Sequence, residues 1–338
     1  MSASSMSQQA ISVAAVYDRR RPGTAVIDRR YSAPLLLGLV LFVLPVFLRA
    51  ETSEPAPLAA KALLLDIAKA GDNLVAVGDH GHVVISADDG KTWTQSLTPT
   101  RALLTGVSFP DSRHGWAVGH DGVIIATNDG GRTWSRQDEG ESLDTVFLDV
   151  LFRDAQRGFA VGAYGKFLAT GDGGKTWSAA QPSPDEVHYN CISEGPDDYL
   201  YLAGESGTTL VSNDGGKSWR KSQVPYDGSL FGILPVAAGR ILAYGLRGHI
   251  LRSEDQGGQW EPINTSAPIL IMGGARLGRD VILLGGQGGN FFVSRNAGRS
   301  FTAWKPANFG TSIAELVEAN DGAIVVVGEA GATRLTLP

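Results

Sequence analysis

From residue 62 onward, apolar runs of four to six residues alternate with polar breaks rich in glycine. Residues 104–109 read Leu-Thr-Gly-Val-Ser-Phe, 115–119 read Gly-Trp-Ala-Val-Gly, and 123–126 read Val-Ile-Ile-Ala. Runs this short, bounded by Gly and rich in β-branched and aromatic residues, predict strands rather than helices. Three apolar runs and one polar run then recur as a unit, with variants of the second run at 158–162 and 200–204. Each unit predicts an inner, a second, a third and a polar outer strand.

The breaks recur as well. Ser/Thr-x-Asp/Asn-x-Gly-x-x-Trp/Phe begins at Ser86, Thr127, Thr170, Ser212, Ser253 and Ser294, in steps of 41, 43, 42, 41 and 41 residues. Eight residues before each lies a Gly-x-x-Gly turn, and a seventh such turn opens at Gly328. A period near 40 filled with strands marks a closed propeller. Seven units of about 41 residues need about 290, and residues 51–338 supply 288. The expected fold is all-β, a seven-bladed β-propeller. The seventh unit stops within its third strand. Residues 54–60 are therefore expected to add the missing outer strand, where Pro55 and Pro57 suit an edge position.

In each copy of the eight-residue pattern the acid is expected to cap its own turn: Asp88, Asp129, Asp172, Asp214 and Asp255, with Asn296 in the sixth copy. Trp93, Trp134, Trp177, Trp219 and Trp260, with Phe301 in the sixth, are expected to wedge between neighbouring sheets. The pattern resembles the Asp-box, or bacterial neuraminidase repeat, whose acids are structural rather than catalytic.

The interiors of the Gly-x-x-Gly turns behave differently. On a propeller they ring one mouth of the central channel, opposite the boxes. They and the positions just past them carry Asp79, His80, His120, Asp121, Tyr164, Lys166, Glu205, Arg247, His249, Gln287 and Glu329. Varied polar groups on a repeated frame suit a partner-binding face. Plain wetting of exposed turns gives the same composition. Arg247 and Lys166 fit a carboxylate or an acidic peptide, unless Arg247 pairs with Glu205. His80, His82 and His120 with Asp79 and Asp121 are the one conceivable metal set, without the spacing of a known zinc motif; no metal and no cofactor is expected.

Residues 33–48 form an apolar run after Arg19, Arg20, Arg21, Arg29 and Arg30, which reads as an export segment. It is either a cleaved signal peptide or an anchor in the inner membrane, and Arg29-Arg30 hints at twin-arginine export. Residues 1–50 are thus expected to be an N-terminal arm and leader, and 51–338 the propeller, in the periplasm or another extracytoplasmic space. Without the leader's six Arg and two Asp, the formal charge falls from −6 to −10. That balance speaks against general nucleic-acid binding. Cys191 stands alone, so no intrachain disulfide forms.

Across residues 55–338, the Gly-Trp-Ala-Val-Gly strand, the Gly-x-x-Gly turn and the Asp-Gly-Gly-Lys-Thr-Trp box, most fully at 114–134 and 157–177, resemble the photosystem II stability and assembly factor family. The resemblance implies a seven-bladed, non-enzymatic chaperone of the thylakoid lumen or a bacterial envelope. Its partner would be a membrane protein or an exposed segment of one, such as a reaction-centre subunit or an exporter of the resistance-nodulation-division type. The expected form is a monomeric propeller within a larger complex. Two alternatives remain open at this point: a sialidase-type glycoside hydrolase, drawing on Tyr164 or Tyr244 and on Arg101, Arg247 and Arg276, and a lectin-like glycan binder.

Overall fold

The computed structural model describes residues 52–137, 143–265, 267–278 and 280–337. The expected leader at 1–50 lies outside the described residues. The rest is all-β apart from short 3-10 turns, in seven antiparallel sheets whose strands follow chain order. The inner strands are Leu64–Ala70, Leu104–Ser108, Phe147–Phe152, Tyr189–Glu194, Leu230–Ala237, Ile271–Leu277 and Ile313–Glu318, one for each of blades 1 to 7. Each touches the inner strands of both neighbouring blades, and the last touches the first, so the wheel is closed.

The core lies between blades. Second strands such as Gly115–Gly119 and Gly158–Gly162 are buried along their whole length, as expected of strands covered on both faces. Val75, Val77 and Val83 of blade 1 pack with Leu104, Val107 and Ala117 of blade 2, and Trp134 joins them. Trp134 and Trp260 are buried, and Trp93, Trp177 and Trp219 are half-buried against the adjoining blade.

Each box turn is held by its own side chains. In blade 3, Thr170 Oγ1 donates to Asp172 Oδ1 at 2.9 Å and accepts the Gly174 N–H at 3.0 Å. Asp172 also accepts the Thr176 N–H at 2.9 Å and its hydroxyl at 2.7 Å. These bonds, the Thr176 hydroxyl foremost, hold the Asp172 carboxyl down at about 2. Asp88 and Asp214 are likewise held at about 2 by Thr92 and Ser218. In blade 6 the amide reverses one bond: Asn296 Nδ2 donates to Ser300 Oγ at 2.9 Å. Gly216 shows why the turn takes glycine. Its φ is +85°, and a Cβ there would meet the Phe159 ring at 2.7 Å.

Closure differs from expectation at one place. Blade 7 has three strands, Ile313–Glu318, Ile324–Gly328 and Thr333–Leu335, and residues 54–60 do not extend it. They run along blade 1, where the Ser53 N–H bonds Thr98 O at 3.0 Å and the Ala56 N–H bonds Gln95 Oε1 at 2.7 Å. Pro55 and Pro57 remove two donors, so a ladder gives way to side-chain bonds. The ends still meet: the Ala332 N–H donates to Ala60 O at 2.9 Å, and Ala59 packs with Val325 and Val327. Across the same seam, the Asn320 N–H bonds Asp89 Oδ1 at 3.0 Å.

Candidate functional site: the mouth and the throat

Six of the seven mouth turns share one backbone; the seventh instead closes from the Gly331 N–H to Gly328 O at 3.0 Å. The six are held by equivalent main-chain bonds, such as the His82 N–H to Asp79 O at 2.9 Å, Lys166 to Ala163 O at 3.1 Å, and His249 to Leu246 O at 3.2 Å. The second residue of six turns has positive φ: His80 55°, Asp121 57°, Tyr164 55°, Ser206 53°, Arg247 57° and Gly288 64°. A non-glycine residue there costs on the order of 1 kcal/mol, yet five of the six tips keep a side chain.

Those side chains are presented outward. Tyr164 is 74 % exposed, and Asp121, Arg247, Gln287 and Glu329 are exposed. His80 is exposed beside Asp79, 3.4 Å away. Tyr164 sets its ring edge-on to His188 at 4.7 Å, and His188 lies 3.6 Å from Glu205. Glu205 also accepts the His188 N–H at 3.2 Å, so its partner is His188 rather than Arg247. Glu329 accepts the Ser312 N–H at 2.9 Å. His249 stacks on Tyr226 at 4.1 Å, and next to it Arg247 rims a cleft of about 410 Å³ lined by Pro262, Ile263, Thr265, Ala267 and Pro268. His82 is 7 % exposed, and burial lowers its pKa and that of His120. No group of three His, Cys, Asp or Glu able to hold a metal forms among the described residues. The three arginines weighed for a sialidase do not converge. Arg101 pairs with Glu54 at 3.1 Å, and Arg276 donates to Gly278 O and Val236 O.

Below the mouth lies a feature the repeat pattern conceals. In every blade one inner-strand residue is looped out of register beside the mouth turn, and the next residue turns toward the axis. The resulting ring holds Asp66, Gly106, Asp149, Cys191, Gly232, Gly273 and Glu315. The three acids staple blades together. Asp66 accepts the Val107 N–H at 2.6 Å, Asp149 the Ile192 N–H at 2.8 Å, and Glu315 the Gly274 N–H at 3.0 Å. Each also accepts the N–H of its own successor. Protein encloses them while part of each faces the channel. Desolvation raises Asp66 to about 7, helped by Asp149, and raises Asp149 to about 6. Glu315 is raised well above the carboxylate range by burial and by Asp66. Tyr244 fills the blade 5 to 6 side of the throat. Glycines make its room, since a Cβ on Gly232 or Gly274 would strike its ring or hydroxyl within 2.3 to 2.6 Å.

The fold and the mouth define a seven-bladed β-propeller with one varied rim, and one segment of its sequence is similar to the photosystem II assembly factors. Residues 139–233 match the family described as photosynthesis system II assembly factor YCF48. Among solved structures, YCF48 bound to D1 peptide is 18 % identical with a TM-score of 0.68, covering 82 % of this chain and 93 % of that one. YCF48 from Cyanidioschyzon merolae is 18 % identical with a TM-score of 0.67, covering 83 % and 97 %. The WD40 propeller domain of Doa1 follows at 14 % and 0.63, covering 84 % and 95 %. At these identities the structures establish the wheel alone; the sequence likeness rests on the matched segment. No curated protein matches the chain in sequence.

Proposed function

We propose that this chain is a non-enzymatic, extracytoplasmic propeller that holds an exposed segment of a membrane-protein partner on its mouth, as an assembly or accessory factor of a membrane complex. The observation that carries the reading is the set of strained tips. Five blades keep different side chains at a position where glycine would relieve the backbone. Five of six mouth tips keep the strain, whereas half of the equivalent box positions relieve it with Gly130, Gly173 and Gly215 and half do not, at Asp89, Gln256 and Ala297; strain concentrated on one rim of a rigid frame is a mark of recognition surfaces. A similar wheel, YCF48, is seen with a bound D1 peptide. A fixed mouth lowers the ordering cost of binding. Tyr164, His188, Glu205 and Arg247 offer an aromatic face, an anionic group and a cation to an extended segment, and the cleft beside Arg247 takes an apolar side chain. The export segment expected at 33–48 would deliver the wheel to the membrane surface, beside a reaction centre or an exporter.

The test is recovery of partners from envelope extracts by wild type and by the Tyr164→Gly, Arg247→Gly double variant, which keeps the turn backbone. One or more membrane proteins should be recovered by wild type and lost by the variant. Equal recovery of every protein removes the mouth from the reading. Turnover of chromogenic sialosides by wild type, lost in Tyr164→Phe, would replace it with a hydrolase.

A further inference from the structure

Blades 5 and 6 meet through a buried arginine whose donors are unmet, unlike the arginine at the seam of blades 7 and 1. In the third strands, Ile85, Ala126, Ala169, Val211 and Val293 occupy one equivalent position, facing the next blade; in blade 5 that position is Arg252, and in blade 7 it is Arg334, whose fork is spent on Asp321 and on Asp89 O of blade 1. Opposite Arg252, blade 6 carries Phe301 where the other boxes carry Trp. Arg252 is 5 % exposed. Ladder register places its neighbours. Leu242 pairs with Arg252 and Ile241 with Ser253, so Arg240 stands opposite Glu254, on the same face of the sheet as Arg252. From blade 6, the turn at Gly298 rests on Leu242, and Arg299 follows it. Arg252, Arg240 and Arg299 all lower the Glu254 carboxyl, Arg252 most.

The donors outnumber the acceptors here. Arg252 spends Nη1 on Glu254. Its Nε and Nη2, and Arg240 Nε, are buried with no hydrogen-bond partner among the described residues. Buried donors on a permanent cation are costly to leave unmade, and a guanidinium fork is shaped for oxygen pairs. Glu254 is 54 % exposed and Arg299 is exposed, so the junction opens to the box rim.

We infer that the junction of blades 5 and 6 is a binding site for a small oxyanion of the phosphate or sulfate class, held by Arg252 and Arg240 with Arg299 at the entrance. Glu254 occupies part of the site in the anion's absence and swings outward as the anion enters. The site is on the rim opposite the mouth and does not depend on what the mouth binds.

Calorimetric titration of the full chain with inorganic phosphate, at constant ionic strength set with chloride, tests this. Binding should saturate near one phosphate per chain. At about a hundredfold excess over the dissociation constant, Tm should rise by about 5 °C, with sulfate acting likewise and chloride not. Arg252→Val, which restores the residue of Val211 and Val293, should fold and lose the response. Glu254→Gln removes the competing carboxylate and should move the response to about tenfold lower phosphate. No saturable phosphate binding by wild type, an unchanged response in Arg252→Val, or an unmoved one in Glu254→Gln overturns the site.

Discussion

On the box rim, Asp88, Asp129, Asp172 and Asp214 each accept a backbone N–H and a hydroxyl from the residue four positions ahead. On the mouth rim, His80, Asp121, Tyr164, Ser206 and Arg247 share one backbone conformation and no side-chain chemistry. The difference lies in what closes the turn. Where side chains supply the bonds, the side chains must repeat. Where main-chain bonds suffice, as from His82 N–H to Asp79 O, the side chains are released for other work. One repeat thus yields a rim that holds the wheel and a rim that can vary.

Trp134→Ala breaks the holding rim most directly. Its ring is buried between blades 1 and 2, and its Nε1 donates to Gly131 O at 2.8 Å. Chemical denaturation should show a loss of about 3–5 kcal/mol. The throat is the next test, because its acids staple blades without repeating. Asp66 and Asp149 are raised to about 7 and about 6, so between pH 4 and 7 the folded state holds protons that the unfolded chain has released. Stability contributed by these groups is therefore fullest near pH 4 and falls as pH rises toward 8. Asp66→Asn should flatten the slope of Tm between pH 5 and 8, by the equivalent of about 2 kcal/mol after allowing for the open channel side. An unchanged slope would show that the ring is ionised throughout.

Smaller effects sharpen the contrast between rims. Thr127→Val keeps shape but removes the hydroxyl that donates to Asp129 at 2.8 Å and accepts the Gly131 N–H at 3.1 Å. It should cost about 1–2 kcal/mol by urea titration. Tyr164→Gly and Arg247→Gly should each lie within about 0.5 kcal/mol of wild type, since relief at positive φ offsets the flexibility of glycine. If a tip change costs as much as Thr127→Val, the mouth is structural too and the comparison fails.

The wheel was legible because its repeats are local. Box, Gly-x-x-Gly and apolar run each declare a turn or strand within a few residues, and seven copies of Gly-x-x-Gly fix the blade count. The tips were legible as varied positions, but Glu205 was not assignable to His188, because that contact depends on the inner-strand register, which pairs Tyr189 with Gly204 beside the looped-out Asn190. The throat was hidden for the opposite reason. Asp66, Asp149 and Glu315 are far apart in sequence, share their repeat position with Gly106, Cys191, Gly232 and Gly273, and look like ordinary strand residues. Only closure brings them to one axis. Arg252 was hidden within a strand, and aligning the third strands against one another exposes it. Residues 54–60 misled because an edge strand and a side-chain-bonded strap have the same proline-rich composition.

The lone thiol of Cys191 sits on the axis, with burial and the neighbouring Asp149 pushing its ionisation well up. It should therefore react sluggishly with a chromogenic disulfide in the folded wheel and faster once the hub parts. The molecule thereby carries its own stopwatch. Colour released above the slow rate of the closed wheel reports hub opening, and any ligand that stiffens either rim can be ranked by how far it lowers that excess, with no label added.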